Sequence, residues 1–198
     1  MAKNSGDVIL RDRLQFQFAA GGNRTTLYGR INLDDYVSAV DRKGLSIKEV
    51  YFQPRAPASE VTALNTPNTG EMALQLDNTA GVGAEGACLK IFATGRAYQN
   101  ASEVGIASPD VYALETWKWS AQETAQGLSQ IYEHMRWGPS DLHMEGLPLI
   151  SDMLIGVAAD RVDNYANQNV EIDVIVVAQP ITVSQKEITQ LLTQGQDL

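Results

Sequence analysis

Very few side chains in this sequence are suited to moving protons. Its two histidines, His134 and His143, each lie within two residues of a glutamate, Glu133 and Glu145. An imidazole beside a carboxylate can relay a proton near neutral pH. A zinc or iron centre asks for more ligands at fixed spacing, and a metal-binding barrel would offer a His-x-His pair with a following Glu. The chain has neither arrangement. With Gly138-Pro139 between them, both histidine pairs read as exposed loop residues. Cys88, the only cysteine, lies in the apolar run 87–93 and reads as a small buried hydrophobe rather than a nucleophile, and no Gly-x-Ser-x-Gly elbow is present. A lone cysteine also excludes an intramolecular disulfide and a multi-cysteine metal site.

Three other motifs bear on binding. Gly81-Val82-Gly83-Ala84-Glu85-Gly86 matches a dinucleotide fingerprint, which works only when a helix N-terminus follows to receive the pyrophosphate. A short strand-like run, 87–93, follows instead, so the segment is expected to be a glycine-rich loop. Asp160-Arg161-Val162-Asp163-Asn164 could turn several oxygens toward calcium, but it lacks the glycine and distal glutamate of an EF-hand loop and reads as a polar turn between strands. Trp117 and Trp119 are two residues apart and would share one face of a strand. With Trp137 they serve either as core or as anchors for a sugar or a neighbouring subunit. No catalytic residue, metal or cofactor is expected.

The elements that must position these residues read mostly at period two. Leu14, Phe16 and Phe18 alternate with Gln15 and Gln17; Met72, Leu74 and Leu76 alternate likewise; 47–52, 89–93, 111–119 and 153–158 are short β-rich runs between turn residues. The run 170–179 is apolar on both sides at its end, reads as a strand buried on both faces, and is stopped by Pro180. Ser184-Gln185-Lys186-Glu187 is a capping box, and Ile188, Leu191 and Leu192 give the following short helix one apolar face. Residues 120–137 place Ala121, Ala125, Leu128, Ile131, Tyr132 and Met135 at helical spacing and are expected to form a helical or mixed excursion, with Gly127 in its middle. About eight strands joined by long irregular loops predict an all-β fold, a single jelly-roll β-sandwich or barrel with a short C-terminal helix, spanning 1–198 as one domain. An immunoglobulin-type sandwich would normally be nearer half this length.

Composition narrows the partners. Lys+Arg number 15 against Asp+Glu 24, a net charge of -9, and no basic cluster offsets it, so direct binding to nucleic acid is not expected. No stretch is long and apolar enough for a membrane span, and the first residues lack a signal-peptide core, which sets the expectation of synthesis in a cytoplasm. The sequons at Asn23 and Asn100 are then incidental.

Three passages share a pattern. They are Ile31-Asn32-Leu33-Asp34-Asp35-Tyr36-Val37 leading to Leu45-Ser46-Ile47-Lys48-Glu49-Val50-Tyr51-Phe52-Gln53, then 149–160, then the terminal strand with its capped helix. In order and spacing they resemble the major capsid proteins of icosahedral viruses with a single jelly-roll fold, above all the small acidic ones of archaeal and bacterial viruses that enclose a membrane. The resemblance implies a non-enzymatic subunit of a self-assembling shell, made in a host cytoplasm and located in the virion. Its partners would be copies of itself and other shell proteins, beside an internal membrane that it does not span. The expected subunit contacts are Trp117, Trp119 and Trp137, with Ile188, Leu191 and Leu192 of the terminal helix. A carbohydrate- or ligand-binding β-sandwich module using Trp117, Trp119 and Tyr112 is the alternative, and a metal-dependent β-barrel enzyme using His134, His143 and Glu145 is the third reading.

Overall fold

The computed structural model describes residues 6–19, 25–55, 85–124, 127–160, 167 and 169–194. Among them, nine strands are followed by one helix: β1 (Val8–Gln17), β2 (Thr25–Ile31), β3 (Lys43–Arg55), β4 (Glu85–Thr94), β5 (Val111–Thr124), β6 (Gly127–Trp137), β7 (Leu147–Leu149), β8 (Met153–Asp160), β9 (Asn169–Thr182) and α1 (Gln185–Gln194). They form two antiparallel sheets, ordered β1-β9-β3-β7 and β2-β8-β4-β5-β6. Every connection crosses between the sheets except β4 to β5 and β5 to β6. This is the jelly-roll winding, with β6 added at one edge.

Alternation explains why the layers hold together. In β9, Val170, Ile172, Val174, Val176 and Ala178 are buried while the residues between them are half-buried. They meet Leu45, Ile47, Val50 and Phe52 of β3 and, from the second sheet, Leu89, Ile91, Ile155 and Val157 in one continuous core. The expectation that β9 is buried on both faces needs correction. It is central in its sheet, between β1 and β3, but its outer face carries Asp173, which accepts from Arg13 Nε at 2.5 Å and pairs with Arg55 at 3.5 Å. Pro180 does not stop the strand either. β1 pairs with β9 only as far as Ala178, so Pro180 lies where β3 alone continues the ladder, a position that tolerates a missing donor.

The larger correction concerns 120–137. This stretch is not helical but completes β5 and forms β6, paired in register from Leu114↔Trp137 to Thr124↔Gly127. Of the apolar residues that suggested a helical face, Ile131, Tyr132 and Met135 stay exposed at 56%, 59% and 52%, and the side chains of Ala121, Ala125 and Leu128 lie outside the described residues. The long edge of β5 offers backbone partners from Leu114 to Thr124, and that pairing decides the segment's structure.

The C-terminal helix starts as its capping box requires. Glu187 accepts from the Ser184 backbone N–H at 2.7 Å, and the Ser184 hydroxyl accepts from the Glu187 N–H at 3.3 Å. These bonds hold the Glu187 carboxyl below its ordinary pKa. Ile188 is buried, so α1 seats on its own chain, while Leu191 is half-buried beside Pro148, Ile181 and Val183. The Leu192 side chain lies outside the described residues. So do Met72, Leu74 and Leu76, Gly81-Val82-Gly83-Ala84 and residues 56–70.

Candidate functional site

The β5–β6 hairpin collects most of the residues with chemical potential. Strand parity places Glu115 and Trp117 of β5 opposite Arg136 and His134 of β6. Glu115 is buried. Its Oε2 lies 3.1 Å from His134 Nε2 and its Oε1 lies 3.4 Å from Arg136 Nε. Trp117 stacks flat on the His134 ring, with centroids 5.0 Å apart and planes at 11°. Arg136 then reaches across to β3. Because β7 covers only Leu45, Ser46 and Ile47 of that strand, its later residues are open at the edge. Arg136 lies 3.6 Å from Glu49 Oε2 and 4.0 Å from the Tyr51 ring centroid, and donates to the Val50 carbonyl at 3.4 Å. Tyr51 donates its hydroxyl to Glu49.

A buried carboxylate fixed by an imidazole and a guanidinium clamps one sheet to the edge of the other. Sequence reasoning paired His134 with Glu133 and placed it in a loop. The structure puts it on a strand, with Glu115 as partner. Glu115, Arg136, Glu49 and Tyr51 were not anticipated as a group. One available signal was Glu115 itself, a charged residue at the parity of Ala113 and Trp117 inside an apolar strand. His143 lies in the turn after Pro139, and its Nδ1 accepts from the Glu145 N–H at 3.2 Å. Among the described residues no three His, Cys, Asp or Glu side chains stand close enough to hold a metal ion. Asp160 ends β8, while Asp163 and the rest of 161–164 lie outside the described residues.

The tryptophans divide between the faces of the five-stranded sheet. Trp117 packs half-buried against the main core. Trp137 packs half-buried against a second cluster on the outer face with Phe92, Val104 and Leu114. The Trp119 side chain lies outside the described residues. Tyr112 is buried, its hydroxyl donating to the Pro148 carbonyl at 3.1 Å, so it presents no free ring to a sugar. Cys88 is half-buried rather than in the core, and burial pushes its thiol pKa up.

The outer edge of β6 is the exposed counterpart of this packing. Among the described residues no strand pairs with that edge, and Ile131 to Arg136 are all exposed. No helix among the described residues is long and apolar enough to cross a membrane. Compared with protein-family models and with curated protein sequences, the chain matches none.

Proposed function

We propose that the chain is a self-assembling structural subunit of a viral shell. The observation that carries this reading is the edge of β6, an eleven-residue strand whose outer backbone donors and acceptors meet no strand among the described residues, beside Ile131, Tyr132 and Met135. A long exposed strand edge with apolar side chains is an aggregation hazard in a monomer, which ordinarily covers or charges it. In a shell, a neighbouring copy covers it. The jelly-roll winding supports the same reading, as capsid domains use it. Trp117 and Trp137 then act behind the contact, holding the hairpin stiff from both faces, and α1 sits at the rim of the other sheet.

Lysine at both Ile131 and Tyr132 should block edge pairing without touching the core. The double variant Ile131→Lys/Tyr132→Lys is expected to melt within about 0.5 kcal/mol of the parent, as exposed substitutions do. Its concentration threshold for assembly, read by light scattering, should rise at least about tenfold, equivalent to about 1.4 kcal/mol per contact. A folded variant that assembles at the parent's threshold would remove β6 from the contact.

A further inference from the structure

The outer face of the five-stranded sheet is covered on one side by the β4–β5 connection, residues 95–110. Cross-strand register lays side chains over this face in rows. Tyr28, Gly156, Phe92, Leu114 and Trp137 form the first row; Thr26, Ala158, Lys90, Thr116 and Met135 the second; Asp160, Cys88, Lys118 and Glu133 the third. The first row anchors the covering loop. Phe92 meets Tyr28 and Tyr98 edge-on at 6.0 and 6.5 Å, and the Tyr28 hydroxyl exchanges hydrogen bonds with the Tyr98 carbonyl and N–H. Over the second and third rows the loop stands off the sheet. The space between is a cavity of about 530 Å³, whose wall includes Val104, Ile106, Leu114, Ala158 and Met135.

Two lysines line this space, whose wall also carries Thr26, Asn100, Ser102, Thr116 and Asp160. Lys90 donates to the Ser102 and Val104 carbonyls, both at 2.7 Å, which leaves one of its three N–H groups uncommitted. Burial lowers its pKa, and neighbouring Lys118 lowers it further. Lys118 is exposed at the mouth. Among the described residues no carboxylate lies within ion-pair distance of either lysine, although Glu133 stands directly opposite Lys118 in the ladder. Asp160, the acidic residue lining the cavity, is two strands from Lys118, at about 4.8 Å per strand. Two adjacent cations without a carboxylate partner among the described residues favour an anion, and the apolar part of the wall favours hydrocarbon.

We propose that this cavity binds a single-chain carboxylate amphiphile, a fatty-acid anion, with its carboxylate between Lys90 and Lys118 and its chain under residues 104–106. The cavity shares Met135 with the β6 edge but does not depend on the shell reading. Cys88 lies in the same cavity and is the only cysteine, so its modification reports occupancy at one atom. The test measures the rate at which monobromobimane labels the purified full chain while dodecanoate is titrated below its micelle concentration. Dodecyltrimethylammonium and dodecanol serve as controls with the same tail.

Dodecanoate at ten times its dissociation constant should slow labelling about tenfold, the protection that occupancy gives. Lys118→Glu, exposed and outside the core, should lose that protection while melting as the parent does. Equal protection by either control would overturn the proposal, as would a natively folded chain that dodecanoate does not protect. A neighbouring copy's side chain filling the cavity would give the second of these results.

Discussion

Gly156→Ala is expected to cost about 3 kcal/mol, the upper end of what overpacking a closed core does. Gly156 of β8 lies directly opposite Phe92 of β4, and the Phe92 ring folds across it. A Cβ at Gly156 would sit 2.2 Å from Phe92 Cζ and 2.5 Å from Cε2. The ring has nowhere to go: it is fully buried, with Tyr28 on one side and Tyr98 of the covering loop on another. The glycine is therefore required by the ring's path over the neighbouring strand, an arrangement in which the aromatic also shields the bare backbone. Urea denaturation should show the midpoint falling with its slope unchanged. Adding Phe92→Leu to Gly156→Ala should recover part of the loss, since the two residues share one space and their effects cannot be additive. If Gly156→Ala alone melts as the parent does, the loop anchor is packed differently from what is described above.

Glu115→Ala is expected to cost about 2 kcal/mol, typical for removing a charged partner from hydrogen bonds at the edge of a core. The carboxylate is nearly inaccessible, its side chain 5% exposed, whereas His134 and Arg136 remain about two-fifths exposed and can hydrate once it is gone. That hydration keeps the loss below what a wholly buried pair would show. Glu115→Gln, which keeps the shape and one acceptor, should lose roughly half as much by the same measure. Equal losses for Ala and Gln would mean that charge, rather than the bridge between β5, β6 and β3, carries the stability.

The parts of this fold that were legible in the sequence are those written in short-range pattern. β9 is legible as a strand from its β-branched run, although its polar outer face and its continuation through Pro180 are not, and α1 announces its first turn through Ser184 and Glu187. Residues 120–137 were misread because Ile131, Tyr132 and Met135 fall at helical spacing, while the free edge of β5 that decides the matter is a tertiary fact. The clamp around Glu115 was illegible for a related reason. Its partners come from three strands, with Glu49 far earlier in the chain, and only the register of the sheets brings them together. The cavity over Lys90 and Lys118 depends on the same register, and on a loop whose standoff no periodicity encodes. Trp117 and Trp137 were recognised as outliers, but which face each one packs on follows from strand parity within the finished sheet.

Electron microscopy of the purified chain, across a concentration series that brackets its assembly threshold, tests the shell reading most directly. The account expects rings or closed particles of uniform diameter, with density joining β6 of one copy to its neighbour. A chain that remains a monodisperse monomer throughout the series, with the β6 edge open to solvent, would contradict it.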